Sequence, residues 1–203
     1  MNKLKSFVGI TLLVAATLTG CTPMQNQSAP NGDAIANIMA RKSVRSYTAQ
    51  PIEKGKVDTL LRAAMAAPTA VNKQPWAFVV VDDAAVLDTL ALHLPYAKMT
   101  AEAPLAIVVC GDLTKTLRGD DDPYWPLDCS AATQNLLLAA EAMGLGAVWT
   151  AVYPEEERME AVQEILSLPD YILPLNVIPV GYPAHPEKAK NKFKTENIHY
   201  NGW

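Results

Sequence analysis

Histidine and cysteine are scarce in this chain, with three of each in 203 residues. His93, His185 and His199 are scattered and lack metal-ligand spacing, so the sequence makes no case for a metal site. Cys110 lies inside an apolar run and Cys129 at an expected helix start. Both are read as small packed residues, because nothing in the sequence places them in contact as a disulfide. Excess base is also missing. A net charge of −4, a pI near 5.4 and the lack of a basic stripe remove the electrostatic argument for nucleic acid. There is no internal repeat and no second globular domain. Asp120, Asp121 and Asp122 do not have EF-hand spacing, so they read as a solvated loop. No Ser-His-Asp set or pair of carboxylates recommends itself, so no side chain is named as a catalytic acid or base.

What is present begins with an address. Lys3 and Lys5 precede an apolar run over residues 7–18, too short for a comfortable membrane span but suited to a signal peptide. The run ends in Leu18-Thr19-Gly20-Cys21, which resembles a bacterial lipobox. The resemblance implies cleavage before Cys21 and acylation there, hence a lipid-anchored protein of the bacterial cell envelope. The alternative is an ordinary secretory signal that happens to contain a cysteine. Residues 21–32 are polar with two prolines and read as a flexible tether. Residues 33–203 form the body.

Hydrophobic spacing in the body predicts helices over 33–42, 54–67, 83–93, 128–143 and 155–166, with Asp33 and Asp128 as N-caps. Valine-rich runs predict strands over 77–81, 105–111, 147–152 and 175–181. The order is not regularly βαβ, so the class is α+β, a mixed and mostly antiparallel sheet covered by helices. Gly144-Leu145-Gly146 is no dinucleotide-binding turn, since it follows a helix and enters a strand.

Three stretches carry polar groups in useful patterns. In an extended segment Arg41, Ser43 and Arg45 fall on one side, two guanidinium forks around a hydroxyl, beside Lys42. That arrangement suits a phosphate. Between Pro68 and Pro75 a helix-to-strand junction carries Thr69, Asn72, Lys73 and Gln74. These suit a flat ligand needing donors and acceptors along one edge, though an ordinary polar loop reads the same way. Lys190 and Lys192 stand in a polar C-terminal stretch that would otherwise be a solvated tail. Tyr124 and Trp125 are candidates to border a substrate pocket.

Ala67-Pro68-Thr69-Ala70-Val71-Asn72-Lys73-Gln74-Pro75-Trp76 resembles the signature of the nitroreductase family of FMN-dependent oxidoreductases. Arg41-Lys42-Ser43-Val44-Arg45 resembles that family's R-x-S-x-R element, and the stretch from Ala139 through Gly144-Leu145-Gly146 to Trp149 matches a third segment. The resemblance covers residues 35–203. It implies FMN, with Arg41 and Ser43 on its phosphate and Arg45 at the N1/O2 edge. Pro68, Thr69, Ala70, Asn72 and Gln74 would lie along the ring, and Trp149, Thr150 and Ala151 near N5. Lys190 and Lys192 would replace the family's K-x-R pair. The family often has glycine near Ala151, which leaves that backbone approach open. A homodimer with FMN at the interface is implied as well.

The implied activity passes a hydride from NAD(P)H, or another donor, through flavin N5 to nitroaromatics, quinones or enones. At an envelope address a membrane quinol or small redox protein would serve as donor. The alternatives are a non-catalytic flavin-binding lipoprotein and a flavoenzyme of different chemistry, such as reductive dehalogenation or flavin breakdown.

Overall fold

The computed structural model describes residues 34–203; the signal, the tether, Cys21 and the Asp33 cap lie outside the described residues. Five strands form one sheet: β1 (Trp76–Val81), β2 (Leu105–Asp112), β3 (Gly146–Ala147), β4 (Thr150–Ala151) and β5 (Ile172–Gly181). The order is β1-β2-β5-β3, with β4 also on β5. Every pairing is antiparallel. The α+β class holds, and the mixture of strand senses resolves to one among the described strands.

Strand β2 is buried at all eight positions, which explains its unbroken apolar run. Leu105, Ile107 and Val109 face one core with Leu60, Ala64, Leu136 and Ile178. Ala106, Val108 and Cys110 face the other with Leu87, Leu90, Val162 and Val177. Helices α2 (Lys54–Met65) and α4 (Trp125–Ala142) cover the first face; α3 (Ala84–His93) and α5 (Glu156–Leu166) cover the second. Strand β5 skips one residue, Leu175, between partners Val109 and Cys110 of β2. The Leu175 carbonyl thereby accepts from the amides of both Val152 and Tyr153, just after β4.

Several expectations are corrected. Helix α4 begins at Trp125, three residues early, with Pro126 tolerated in the first turn. Asp128 therefore lies inside the helix and caps nothing. Trp125 is buried against Gly111, where a Cβ would collide with its ring, so it is core and not pocket wall. Cys110 and Cys129 do meet, the Cys129 thiol lying 3.4 Å from the Cys110 carbonyl, and both are free thiols. Burial pushes Cys110 up to about 12 and raises Cys129 too, so both are inert. The solvated loop is instead organised by two buried carboxylates. Asp122 accepts from the amides of Leu117, Arg118 and Tyr124, and Asp112 from Thr114 while pairing with Lys115 at 2.7 Å. Helix α1 (Ala34–Ala40) leaves Ile35, Ile38 and Met39 exposed. No described helix is long and apolar enough to cross a membrane.

Candidate functional site

The segment after α1, from Arg41 to Ser46, carries no regular secondary structure. Val44 is 1% exposed and anchors the segment, while Arg41, Lys42, Ser43 and Arg45 around it line one cleft. The Val44 amide donates to Ala147 of β3 at 3.1 Å. Tyr47 locks the next turn by donating its hydroxyl to the carbonyls of Val44 (2.7 Å) and Pro179 (3.1 Å). Burial pushes the Tyr47 phenol well above its ordinary range, although the Arg45 charge pulls the other way. It remains a neutral donor.

The same segment captures the end of the chain. Thr48 donates to Tyr182, Ala184 donates to Ser46, and Tyr47 bridges to Pro183. The polypeptide leaving β5 is thus carried past Arg41. A cleft of about 260 Å³ results, lined by Arg41, Lys42, Ser43, Arg45, Lys188, Lys190, Lys192 and Glu187. The two cationic stretches, far apart in sequence, line this one cleft. Lys42 differs from its neighbours, because its Nζ is held by Glu141 at 2.7 Å. Lys188 joins the cleft without having been singled out; the Lys-rich spacing of the tail was the signal.

Arg45 also faces a second cavity of about 500 Å³. Trp149, Thr150 and Ala151 line it together with Met99, Tyr96 and a cation the sequence did not flag, Lys98. The Thr150 hydroxyl donates to the Val177 carbonyl and is buried. What β4 offers this cavity is therefore its backbone and the small side chain of Ala151. A cationic cleft and a second, less polar cavity that share Arg45 fit a phosphate joined to a planar ring.

Residues 68–74 line neither of these two cavities. Thr69 accepts the Gln74 amide on its hydroxyl at 3.0 Å, and Gln74 Nε2 donates to Asn72 Oδ1 at 2.9 Å. Val71, Asn72 and Gln74 all have positive φ, at 41°, 58° and 52°. Such backbone costs on the order of 1–3 kcal/mol per residue, most clearly for β-branched Val71, which is 73% exposed. The Ala70 amide donates to Asp128 of α4 at 3.0 Å. Burial raises the Asp128 carboxyl above its ordinary value; the Ala70 bond opposes this and the Asp122 charge adds to it.

Beside Arg41, Ile38, Met39 and Phe193 line a further cavity of about 540 Å³. With Ile35 they make an exposed apolar face next to the cationic cleft.

The sequence model described as "Nitroreductase family" matches residues 38–95 and 88–182. A solved structure from Parabacteroides distasonis, described as a "putative NADH dehydrogenase/NAD(P)H nitroreductase", is 55% identical. Its TM-score is 0.81, and the match covers 85% of this chain and 99% of that one. A protein of the same description from Methanothermobacter thermautotrophicus is 40% identical over 172 residues, 84% of this chain and 88% of its own. An NADPH:FMN oxidoreductase from Vibrio harveyi, solved with NAD+, is 26% identical with a TM-score of 0.74, covering 85% and 78% of the two chains.

Proposed function

This chain belongs to the nitroreductase family, and from that premise we propose how its residues serve an FMN-dependent NAD(P)H oxidoreductase. The observation that carries the reading is the path of charge from one cavity to the next. Arg41, Ser43, Lys190 and Lys192 converge on one cleft, and Arg45 lines both that cleft and the cavity beside Trp149, Thr150 and Ala151. The phosphate of FMN would sit in the first and its ring in the second.

Bound there, FMN supplies hydride chemistry between a reduced nicotinamide and an oxidant. The chain's own part is to bind and orient. Arg41 and Ser43 donate to phosphate oxygens, and Lys190 and Lys192 add charge without a bidentate fork. Arg45 and Lys98 line the cavity that would take the ring, and their positive charge there would favour its reduction. Lys42 lines the cleft too, but its Nζ is held by Glu141, so it adds less to the phosphate than Arg41.

Pro68, Thr69, Ala70, Asn72 and Gln74 reach the ring from a second copy of the chain. Two facts support this: in one chain the loop stands apart from both cavities, and an apolar face lies exposed beside the cleft. The oxidants are nitroaromatics, quinones or enones, planar acceptors that suit a cavity walled by Trp149 and Tyr96. By its lipobox resemblance at Cys21 the enzyme would be anchored to the cell envelope, with a membrane quinol or small redox protein as donor in place of NAD(P)H.

Anaerobic mixing of the purified protein with NADH, NADPH or a quinol analogue tests the chemistry. Bleaching of the flavin bands, and recovery on adding a nitroaromatic or quinone, is expected. A yellow protein inert to every donor would reduce the function to flavin binding. Saturable reduction by NADPH alone, with membrane vesicles inert, would remove the envelope donor.

A further inference from the structure

The Thr69–Gln74 loop holds its shape almost wholly from within. Asn72 donates to the Thr69 carbonyl at 3.1 Å, Lys73 to Ala70 at 3.0 Å, and Gln74 to the Thr69 hydroxyl at 3.0 Å. These bonds set the relative positions of the loop residues but not their position on the domain. At its exit, Pro75 accepts the amide of Asp112, so that end belongs to the sheet. At its entry, the Ala70 amide reaches across to Asp128 Oδ1 at 3.0 Å. Asp128 is 8% exposed, on the rigid first turns of an eighteen-residue helix.

That bond stands immediately before the left-handed residues. Ala70 opens the short turn Ala70–Asn72, and Val71 and Asn72 follow at φ 41° and 58°. Val71 is largely exposed, so packing does not hold its backbone there. The Gln74 side chain donates to Asn72 Oδ1, which leaves Asn72 Nδ2 and Gln74 Oε1 as one donor and one acceptor for a ligand. Their usefulness depends on where the loop's entry is pinned.

We propose that Asp128 is a positioning residue for the flavin, its carboxylate fixing the entry of the Thr69–Gln74 loop so that Asn72 and Gln74 are preset for the ring's polar edge. This rests on the reading that the loop lies along FMN. Asp128 touches no ligand; it acts through the Ala70 amide. Asparagine at 128 would keep the acceptor, leucine would remove it, and proline at 70 would remove the donor. Ala70 is the second residue of the hydrogen-bonded Thr69–Asn72 turn, ahead of left-handed Val71, a position that favours proline, and Thr69 is extended, so proline is accommodated there.

The test measures FMN affinity by fluorescence quenching, together with the denaturation midpoint of the apoprotein, for Asp128→Asn, Asp128→Leu and Ala70→Pro. Asp128→Asn is expected within about threefold of the parent. Asp128→Leu and Ala70→Pro are expected to weaken FMN by at least about tenfold, Ala70→Pro without a shift in midpoint. Should Asp128→Leu fail to fold, Asp128→Ala takes its place, removing the acceptor with a smaller side chain, because Ala70 is itself placed along the ring. Parental affinity in Ala70→Pro, or an Asp128→Asn loss as large as that of leucine, overturns the assignment. A parent that binds no FMN removes the reading on which it rests.

Discussion

Gly146→Ala tests whether the cationic segment is positioned by its packing. Gly146 lies in β3, directly under Val44. A Cβ added there would stand 2.6 Å from one Val44 methyl, 2.7 Å from Val44 Cβ and 2.9 Å from the other methyl, against 3.4 Å for ordinary contact. Because Val44 Cβ is itself too close, no side-chain rotamer of Val44 clears the clash, and backbone has to move. Val44 is also tied to β3 through its amide to Ala147. The displacement therefore passes to Ser43 and Arg45 on either side, both of which line the cleft. Overpacking of this kind costs about 1–3 kcal/mol. If the whole cost fell on the bound state, FMN affinity would drop roughly 5- to 150-fold. Denaturant unfolding of the apoprotein and fluorescence titration with FMN measure the two shares. Adding Val44→Ala should recover part of the loss, since it removes two of the three clashing atoms and gives a non-zero coupling energy. A Gly146→Ala protein equal to the parent in stability and FMN affinity would refute the argument.

Three further outcomes follow from the site. Arg41→Ala should weaken FMN by about 1.5–3 kcal/mol, the scale of a charge-assisted hydrogen bond, and Lys42→Ala by much less, because Lys42 is spent on Glu141; equilibrium titration separates them. Arg45→Met should lower the flavin reduction potential while sparing much of the occupancy, as positive charge beside the reduced ring is lost; a redox titration reads it. Asp122 tests the loop: burial pushes its carboxyl up, but amide donors from Tyr124, Leu117 and Arg118 outweigh this and hold it below its ordinary 3.8. Its contribution is therefore present above about pH 4 and lost as pH falls through the lower folded value, so the stability gap between parent and Asp122→Asn should close in acid unfolding curves.

The elements were legible because their causes are local. A strand buried on both faces leaves a continuous run such as 105–110, and Val44 is the one buried residue among the cations and serine of 41–45. Asp128 was visible as a helix signal but assigned the wrong role. Pro126 suits the first turn of α4, and an earlier start turned a cap into a tether for the loop. Trp125 read as pocket wall because nothing local reveals that Gly111 makes room for it. Lys98 carried no pattern, standing alone in the short turn Lys98–Glu102, and only the fold aims it at the Arg45 cavity. The contact between Cys110 and Cys129 likewise depends on α4 crossing β2, which no spacing encodes.

Arg41, Ser43, Lys190 and Lys192 are proposed to select a ligand by its phosphate, with Arg45 leading to a ring cavity. Titration of the apoprotein with FMN and with riboflavin, which share the ring and differ in the phosphate, tests it most directly. Two charge-assisted bonds to the phosphate predict FMN tighter by at least about 100-fold. That advantage should shrink in Arg41→Ala and as salt is raised. Equal affinity for FMN and riboflavin would contradict the account.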